Sequence, residues 1–366
     1  MGAPGPSLKI VLLLPEMKEG GVERHVVSLS AAYAARGHEV LVISRGGALV
    51  KALAPGVRHM ALPVHRKNPV SAAWSALRLA ERVRREGWQI LHAESRVPAW
   101  VAWWTSAMTG VPWGATAQSC YSCNAGLYPF RRADFVVACS ETVRHHQEAC
   151  QPGLVMEVIP DGIPDPGMRW EGPPAGVPFT FLFVGRLTAV KGIDVAVEAL
   201  LNVPEDRPPW RFLVLGDGPL RSELEEQVRR RGRGDRMQFL GFRNDVYPHM
   251  AACSCLLLPS RVEGMPLVLS EAMTMGVPVV ASDIDAIRGM VRERELLVPG
   301  NDVGAWTARL ECILQKGIPS PLTPSGDFGF DTMVDRYLAV YGRVCEGISD
   351  GSGVRSRGGK GPKDTC

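Results

Sequence analysis

Short apolar runs alternate with amphipathic stretches along two successive halves of this chain, and that rhythm confines it to few folds. In the first half LKIVLLL (8–14), EVLVIS (39–44), QILHA (89–93), WGATA (113–117), FVVAC (135–139) and LVMEVIP (154–160) read as strands. Val22 to Arg36 reads as a helix closed by Gly37, and Ser140 caps the helix after FVVAC. The pattern restarts with FTFLFVG (179–185), WRFLVLG (210–216), MQFLG (237–241) and CLLLPS (255–260), with helices from about 191, over 219–231 and after Pro266. Such alternation predicts parallel sheets covered on both faces. Between the halves, DGIPDPGMRWEGPPAGVP (161–178) has no periodicity and reads as a linker. The expected class is therefore α/β, with two doubly wound domains, residues 1–165 and 166–327. A ligand is expected in the cleft between them, outside the carboxyl ends of the strands. Residues 328–346 read as a final helix, and the tail 347–366 as disordered.

Composition narrows the function. With 366 residues and 46% hydrophobic content the chain can bury two cores. A net charge of +3 without a dense basic block argues against a nucleic-acid role, while it suits an anionic ligand. The apolar start is interrupted by Pro15 and charges, so it reads as a first strand rather than a signal peptide or membrane span. Of nine cysteines, only Cys120 and Cys123 form a CxxC. Without a second pair this is a weak metal signal, and reduced cytoplasmic thiols are expected, with no metal.

The richest stretch is EGMPLVLSE, from Glu263 to Glu271, which leads from a strand into a helix. Pro266 suits the first turn of that helix and Gly276 its stop. Free N–H groups at Gly264, Met265, Pro266 and Leu267 are expected to favour a phosphate. Carboxylates beside a phosphate repel it but accept hydrogen bonds from neighbouring hydroxyls, such as those of a ribose and a second sugar. That combination points to a nucleotide-sugar. Lys191 is the only lysine between Lys67 and Lys316 in an arginine-rich chain. It shares the loop GRLTAVKGID with Arg186, and two cations opposite a diphosphate would stabilise the leaving group without a divalent metal. Gly20 and Gly21 precede a helix, where the backbone can approach an anion closely.

Taken in order, GGVERHVVSLSAAYAARGHEV, VGRLTAVKGID, LGDGPLRSELEE, FLGF and PSRVEGMPLVLSEAMTMGVPVVAS resemble the family 4 retaining glycosyltransferases (glycosyl transferases group 1), over nearly the whole chain to about residue 346. The resemblance implies the GT-B fold, two Rossmann-like domains facing a central cleft, with the last helix packing back on the N-terminal domain. It implies that Glu271 binds the donor ribose and that Glu263 lies by the transferred sugar with the backbone of 264–267. Arg186 and Lys191 would hold the diphosphate, and Gly20 and Gly21 would close on the donor. His92 is a candidate catalytic residue and, with Glu94 and Gln118, a candidate acceptor pocket. No cofactor or metal is implied beyond the nucleotide-sugar co-substrate, whether UDP-, GDP- or ADP-linked.

Two departures stand out. Glu94 and Gln118 occupy places where many members have histidine, and glutamine cannot act as acid or base. SDIDAIRGMV (282–291) lacks the paired glycines and later glutamate that the family usually has there. The expected activity is transfer of a hexosyl-type sugar to an acceptor hydroxyl in polysaccharide, glycolipid or glycoconjugate synthesis. The alternative is a non-catalytic nucleotide-sugar-binding protein, and epimerase and phosphorylase chemistry are the other rivals. The acceptor, whether sugar, glycolipid or small molecule, is open. Trp100, Trp103 and Trp104 crowd one apolar segment, which reads first as a buried helix and second as a peripheral contact at the inner membrane face.

Overall fold

A computed structural model of the chain describes residues 7–18 and 20–349. The first half runs β1 (Lys9–Leu13), α1 (Gly21–Ala35), β2 (Glu39–Ser44), β3 (Arg58–Ala61), α2 (Pro69–Glu86), β4 (Ile90–Ala93), α3 (Arg96–Thr109), β5 (Trp113–Ala117), β6 (Phe135–Ala138), α4 (Glu141–Cys150) and β7 (Glu157–Val158). The second runs β8 (Phe179–Val184), α5 (Ile193–Leu201), β9 (Trp210–Leu215), α6 (Arg221–Arg230), β10 (Met237–Gly241), α7 (Val246–Ala252), β11 (Cys255–Leu258), α8 (Leu267–Met275), β12 (Val279–Asp283), α9 (Asp285–Arg288), β13 (Val298–Pro299) and α10 (Val303–Lys316). Helix α11 (Phe330–Ser349) ends the described chain. It includes residues 347–349, which were expected in the tail; the rest of that tail lies outside the described residues.

The strands form two sheets, ordered β3-β2-β1-β4-β5-β6-β7 and β10-β9-β8-β11-β12-β13. The paired strands run parallel, as β1 does with both β2 and β4, and β8 with both β9 and β11. Each order reverses next to its first strand, at β1/β4 and at β8/β11, so each sheet is doubly wound with one switch point. Their residues explain the burial. KIVLL, EVLVIS and FTFLFV are apolar in consecutive positions, not alternate ones, and are covered on both faces. Around the second sheet Phe181, Phe183, Phe212, Trp210 and Trp306 form one core.

Helix starts follow local chemistry. Asn68 Oδ1 accepts from Val70 N at 2.8 Å ahead of Pro69, and Ser140 Oγ accepts from Val143 N at 3.3 Å. The segment 161–178 has no helix or strand, yet it is tied along its length. Trp170 N donates to the Met275 carbonyl at 2.8 Å, and Glu171 N to that of Ala251 at 3.1 Å. Contacts divide the chain into two compact units: residues up to 116, 125–136 and from 334 on, and residues 117–124 with 137–333. These do not follow a boundary at 165/166. Helix α11 joins the first unit through Tyr337 and Tyr341, both fully buried there.

Those tyrosines meet a polar network under β4. His92 is fully buried; its Nδ1 lies 2.6 Å from Tyr341 Oη and its Nε2 lies 2.8 Å from Thr116 Oγ1. Thr116 in turn meets Tyr337 Oη at 3.1 Å, and Tyr33 Oη donates to Tyr341 at 3.2 Å. Burial holds the His92 pKa down to about 3, with the charge on His25 adding to the effect. The folded chain therefore refuses a proton that the unfolded chain accepts. Stability from this group is complete above its ordinary pKa and is lost as pH falls from there toward the folded value. At about pH 5 the loss from His92 should reach roughly 2 kcal/mol relative to neutral pH. Buried His25, whose pKa is also lowered by burial, adds in the same direction. Urea unfolding at the two pH values checks this; equal midpoints would contradict it.

Candidate functional site

In the second sheet, strands β8 and β11 are hydrogen-bonded neighbours whose following helices leave on opposite sides. Their C-terminal loops therefore meet at the switch point. Gly192 closes the β8 loop at φ 66°, and an added Cβ would lie 1.8 Å from the Pro259 carbonyl oxygen at the end of β11. Only glycine permits that approach, which brings Lys191 against the loop that carries Glu263. A second tie locks the same loops: Arg261 meets the Asp194 carboxylate at 2.7 and 2.6 Å.

Lys191 Nζ donates to both carboxylate oxygens of Glu263, at 2.7 and 2.8 Å, and Ser260 Oγ donates to Oε1 at 2.6 Å. The Glu263 side chain is 7% exposed against 33% for Lys191. So Lys191 is not the unengaged cation that its sequence isolation implies; it neutralises a nearly buried carboxylate. Arg186, by contrast, is exposed, with no carboxylate partner among the described residues. A phosphate reaching this loop would meet Arg186 in solution and share Lys191 with Glu263.

The next loop leads into α8. Pro266 is its N-cap, and no side chain caps this end. Having no N–H, Pro266 cannot donate, which corrects the expectation for that position. Gly264, Met265 and Leu267 supply the donors, where the helix dipole favours negative charge. Gly264 is held from both sides: Ser140 Oγ donates to its carbonyl at 2.7 Å, and a Cβ would lie 2.5 Å from the Gln118 carbonyl oxygen. Gln118 thus reaches this loop through its backbone. Within α8, half-buried Glu271 accepts from Tyr247 Oη of α7 at 3.1 Å. Sequence reading missed Tyr247, Ser260 and Asp194; the first lies on α7, five residues after the motif FLGF, and the other two sit inside motifs already singled out.

The first unit separates the remaining candidates. Gly20 is the N-cap of α1 and Gly21 its first residue, with no side-chain cap. A Cβ on Gly20 would lie 2.2 Å from a carboxylate oxygen of Glu23, so this end of α1 is packed by its own first turn. His92 and Glu94 are both fully buried, 3.6 Å apart. With both ring nitrogens engaged and its pKa near 3, His92 cannot meet an acceptor in this conformation, so the geometry does not support it as a catalytic residue or Glu94 as a pocket wall. In the segment that departs from the family pattern, Asp285–Arg288 forms α9, and Arg288 pairs with Asp283 at 2.7 Å.

Gly192→Ala should destabilise the chain by at least about 2 kcal/mol, because it adds left-handed backbone strain to a hard overlap. Chemical denaturation of the variant checks this, and a change within a few tenths would refute the close packing of these loops.

Comparison with known proteins agrees with this architecture. Sequence models of Glycosyltransferase Family 4 and of Glycosyl transferases group 1 match residues 19–165 and 178–316. The chain is 29% identical over 333 residues to a phosphatidyl-myo-inositol mannosyltransferase of Mycobacterium leprae, covering 82% of this chain and 85% of that one. Matches to the first curated relatives span only 16% to 37% of those proteins' length. A glycosyltransferase structure from Rickettsia africae superposes with a TM-score of 0.75 at 20% identity, covering 92% and 98% of the two chains. Anabaena HepE, solved with UDP-glucose, superposes with a TM-score of 0.73 at 18% identity, covering 94% and 100%. With one family's two halves matched in order and two doubly wound parallel sheets in the corresponding places, the chain belongs to the family 4, group 1 glycosyltransferases of the GT-B fold.

Proposed function

We propose that this chain is a retaining glycosyltransferase that moves a sugar from a nucleotide-sugar to an acceptor hydroxyl. The observation that carries the reading is the cluster at β8/β11: Lys191, Glu263 and Ser260 bonded together beside the uncapped start of α8, with Glu271 one turn further on. Cations and helix N–H groups suit a diphosphate, and the two carboxylates suit sugar and ribose hydroxyls. In the proposed reaction the bond from the sugar's anomeric carbon to the phosphate oxygen breaks and a bond to the acceptor oxygen forms on the same face. The acceptor proton passes to the leaving phosphate. Arg186 and Lys191 stabilise the charge that builds on that phosphate, so the step asks for no divalent metal. The HepE complex with UDP-glucose supports a nucleotide-sugar in such a fold.

Thermal unfolding with UDP, GDP and ADP, and with their sugar conjugates, tests the donor site. At about a hundredfold its dissociation constant, the right nucleotide should add roughly 2.7 kcal/mol, and Glu271→Ala should remove most of it. No stabilisation by any of them would overturn the reading. Burial of His92 and Glu94 favours one second reading, a nucleotide-sugar-binding protein without turnover. Donor-dependent stabilisation with neither hydrolysis nor transfer over a broad acceptor panel would select it.

We further propose that the chain acts in the cytoplasm, with peripheral contact at the inner membrane face. Among the described residues no helix is long and apolar enough to cross a membrane. Trp100, Trp103 and Trp104 are half-buried in a cluster with Tyr128, which favours a packing role for α3 over such contact. On α2, Val70, Trp74 and Leu77 lie on one helical face, 76%, 51% and 60% exposed, beside Lys67 and Arg78. Apolar residues ringed by cations suit an anionic bilayer. Co-sedimentation with anionic vesicles should fall at least severalfold in a Trp74→Ala, Leu77→Ala variant and be unchanged in Trp104→Ala. Unchanged sedimentation of the α2 variant would remove the contact.

A further inference from the structure

The loop between β5 and β6 and the end of α4 bring together three side chains that the reaction above does not use. Cys123 and Cys150 are joined as a disulfide, with their Cα atoms 5.1 Å apart. His146 stands one turn before Cys150 on the same helical face, and its Nε2 lies 3.7 Å from the Cys150 sulfur. One ligand atom from each of the three falls within 4.8 Å of the others. In the sequence the CxxC has no second pair; in the fold, the partners of Cys123 are a histidine and a cysteine four residues apart.

A disulfide requires two cysteines and nothing more. It accounts for Cys123 and Cys150 but not for a histidine set one turn before Cys150 with a ring nitrogen within 4.8 Å of both sulfurs. Two thiolates and one imidazole are a donor set that suits zinc, with a fourth position left for solvent. The backbone also supplies an outer partner. The Tyr121 carbonyl oxygen lies 2.8 Å from the same nitrogen, His146 Nε2, and can accept its N–H when Nδ1 binds the ion. Cysteine clusters in reducing surroundings are more often metal sites than disulfides.

We propose that the reduced chain holds a zinc-class divalent cation between Cys123, His146 and Cys150, and that the disulfide form cannot bind it. Reduction by an external dithiol transfers two electrons and two protons to the Cys123–Cys150 bond, leaving two thiols and an oxidised dithiol. Binding of the cation then releases the two thiol protons. The bound ion fastens the loop at Cys123 to α4. That loop also carries Gln118, whose carbonyl packs on Gly264, and Ser119, whose carbonyl accepts from Gln147 Nε2 at 3.4 Å. Metal loading therefore stiffens a loop at the candidate site without taking part in the chemistry.

Cobalt(II) titration of the full chain, reduced and desalted under inert gas, tests the proposal, because thiolate ligation gives a sulfur-to-cobalt charge-transfer band. One equivalent should produce that band and the visible bands of a tetrahedral site, and zinc should displace it. Cys123→Ser and Cys150→Ser should each weaken the band and the binding. His146→Gln keeps both thiols and should shift the visible bands and cost at least the roughly tenfold that loss of even an outer-shell partner costs. Cys312→Ser should change nothing. No charge-transfer band in the reduced chain, or one that persists unaltered in His146→Gln, would overturn the site. A band lost in Cys120→Ser and retained in Cys123→Ser would place the cation elsewhere and also refute it. Should either cysteine variant fail to fold, His146→Gln decides.

Discussion

The reversal of strand order is the constraint from which the rest of each sheet follows. Where neighbouring parallel strands send their helices to opposite faces, the two loops at their carboxyl ends start side by side and then diverge to leave a crevice, so only their bases can pack on each other. At β8/β11 that packing is made by Gly192, whose backbone meets Pro259 more closely than any side chain would allow. The same reversal at β1/β4 places the Gly20–Gly21 helix start and the His92 strand in adjacent positions of the first sheet. Two loops meeting at a switch point form a site by topology, whatever their sequences.

Once β8 and β11 have met, electrostatics decides which side chains are available. A carboxylate as buried as Glu263 needs a counter-charge, because an unpaired one in such a place costs several kcal/mol. Lys191 and the Ser260 hydroxyl meet that need. The pair is thereby preorganised, and the lysine stays one-third exposed with a third N–H beyond the two given to Glu263. Arg186 stays exposed to solvent. The two cations that look equivalent in the motif GRLTAVKGID therefore have different parts in the fold.

The first unit shows the opposite use of polar groups. His92, Thr116, Tyr33, Tyr337 and Tyr341, all fully buried, satisfy one another and join α11 to β4. A histidine at the end of a central strand in such a fold invites a catalytic reading. Here Tyr341 of α11 and Thr116 of β5 occupy the two ring nitrogens that a substrate would need. Nothing local marks this, because Thr116 lies 24 and Tyr341 249 residues away in the chain.

The sequence by itself determined the class and most of the site's parts. Continuous apolar runs dictate strands buried on both faces, and glycine or proline at the ends of runs sets the boundaries, so the two doubly wound sheets and the loops at 186–191 and 263–271 could be read directly. Tertiary structure decided how those parts are used. It paired Lys191 with Glu263, gave Glu271 a phenol from α7, buried His92 and set Cys123 against His146 and Cys150. The physical reason is range. Propensity, capping and periodicity act over a few residues and leave a local mark, whereas ion pairing and burial depend on partners brought together only by the winding of the sheet.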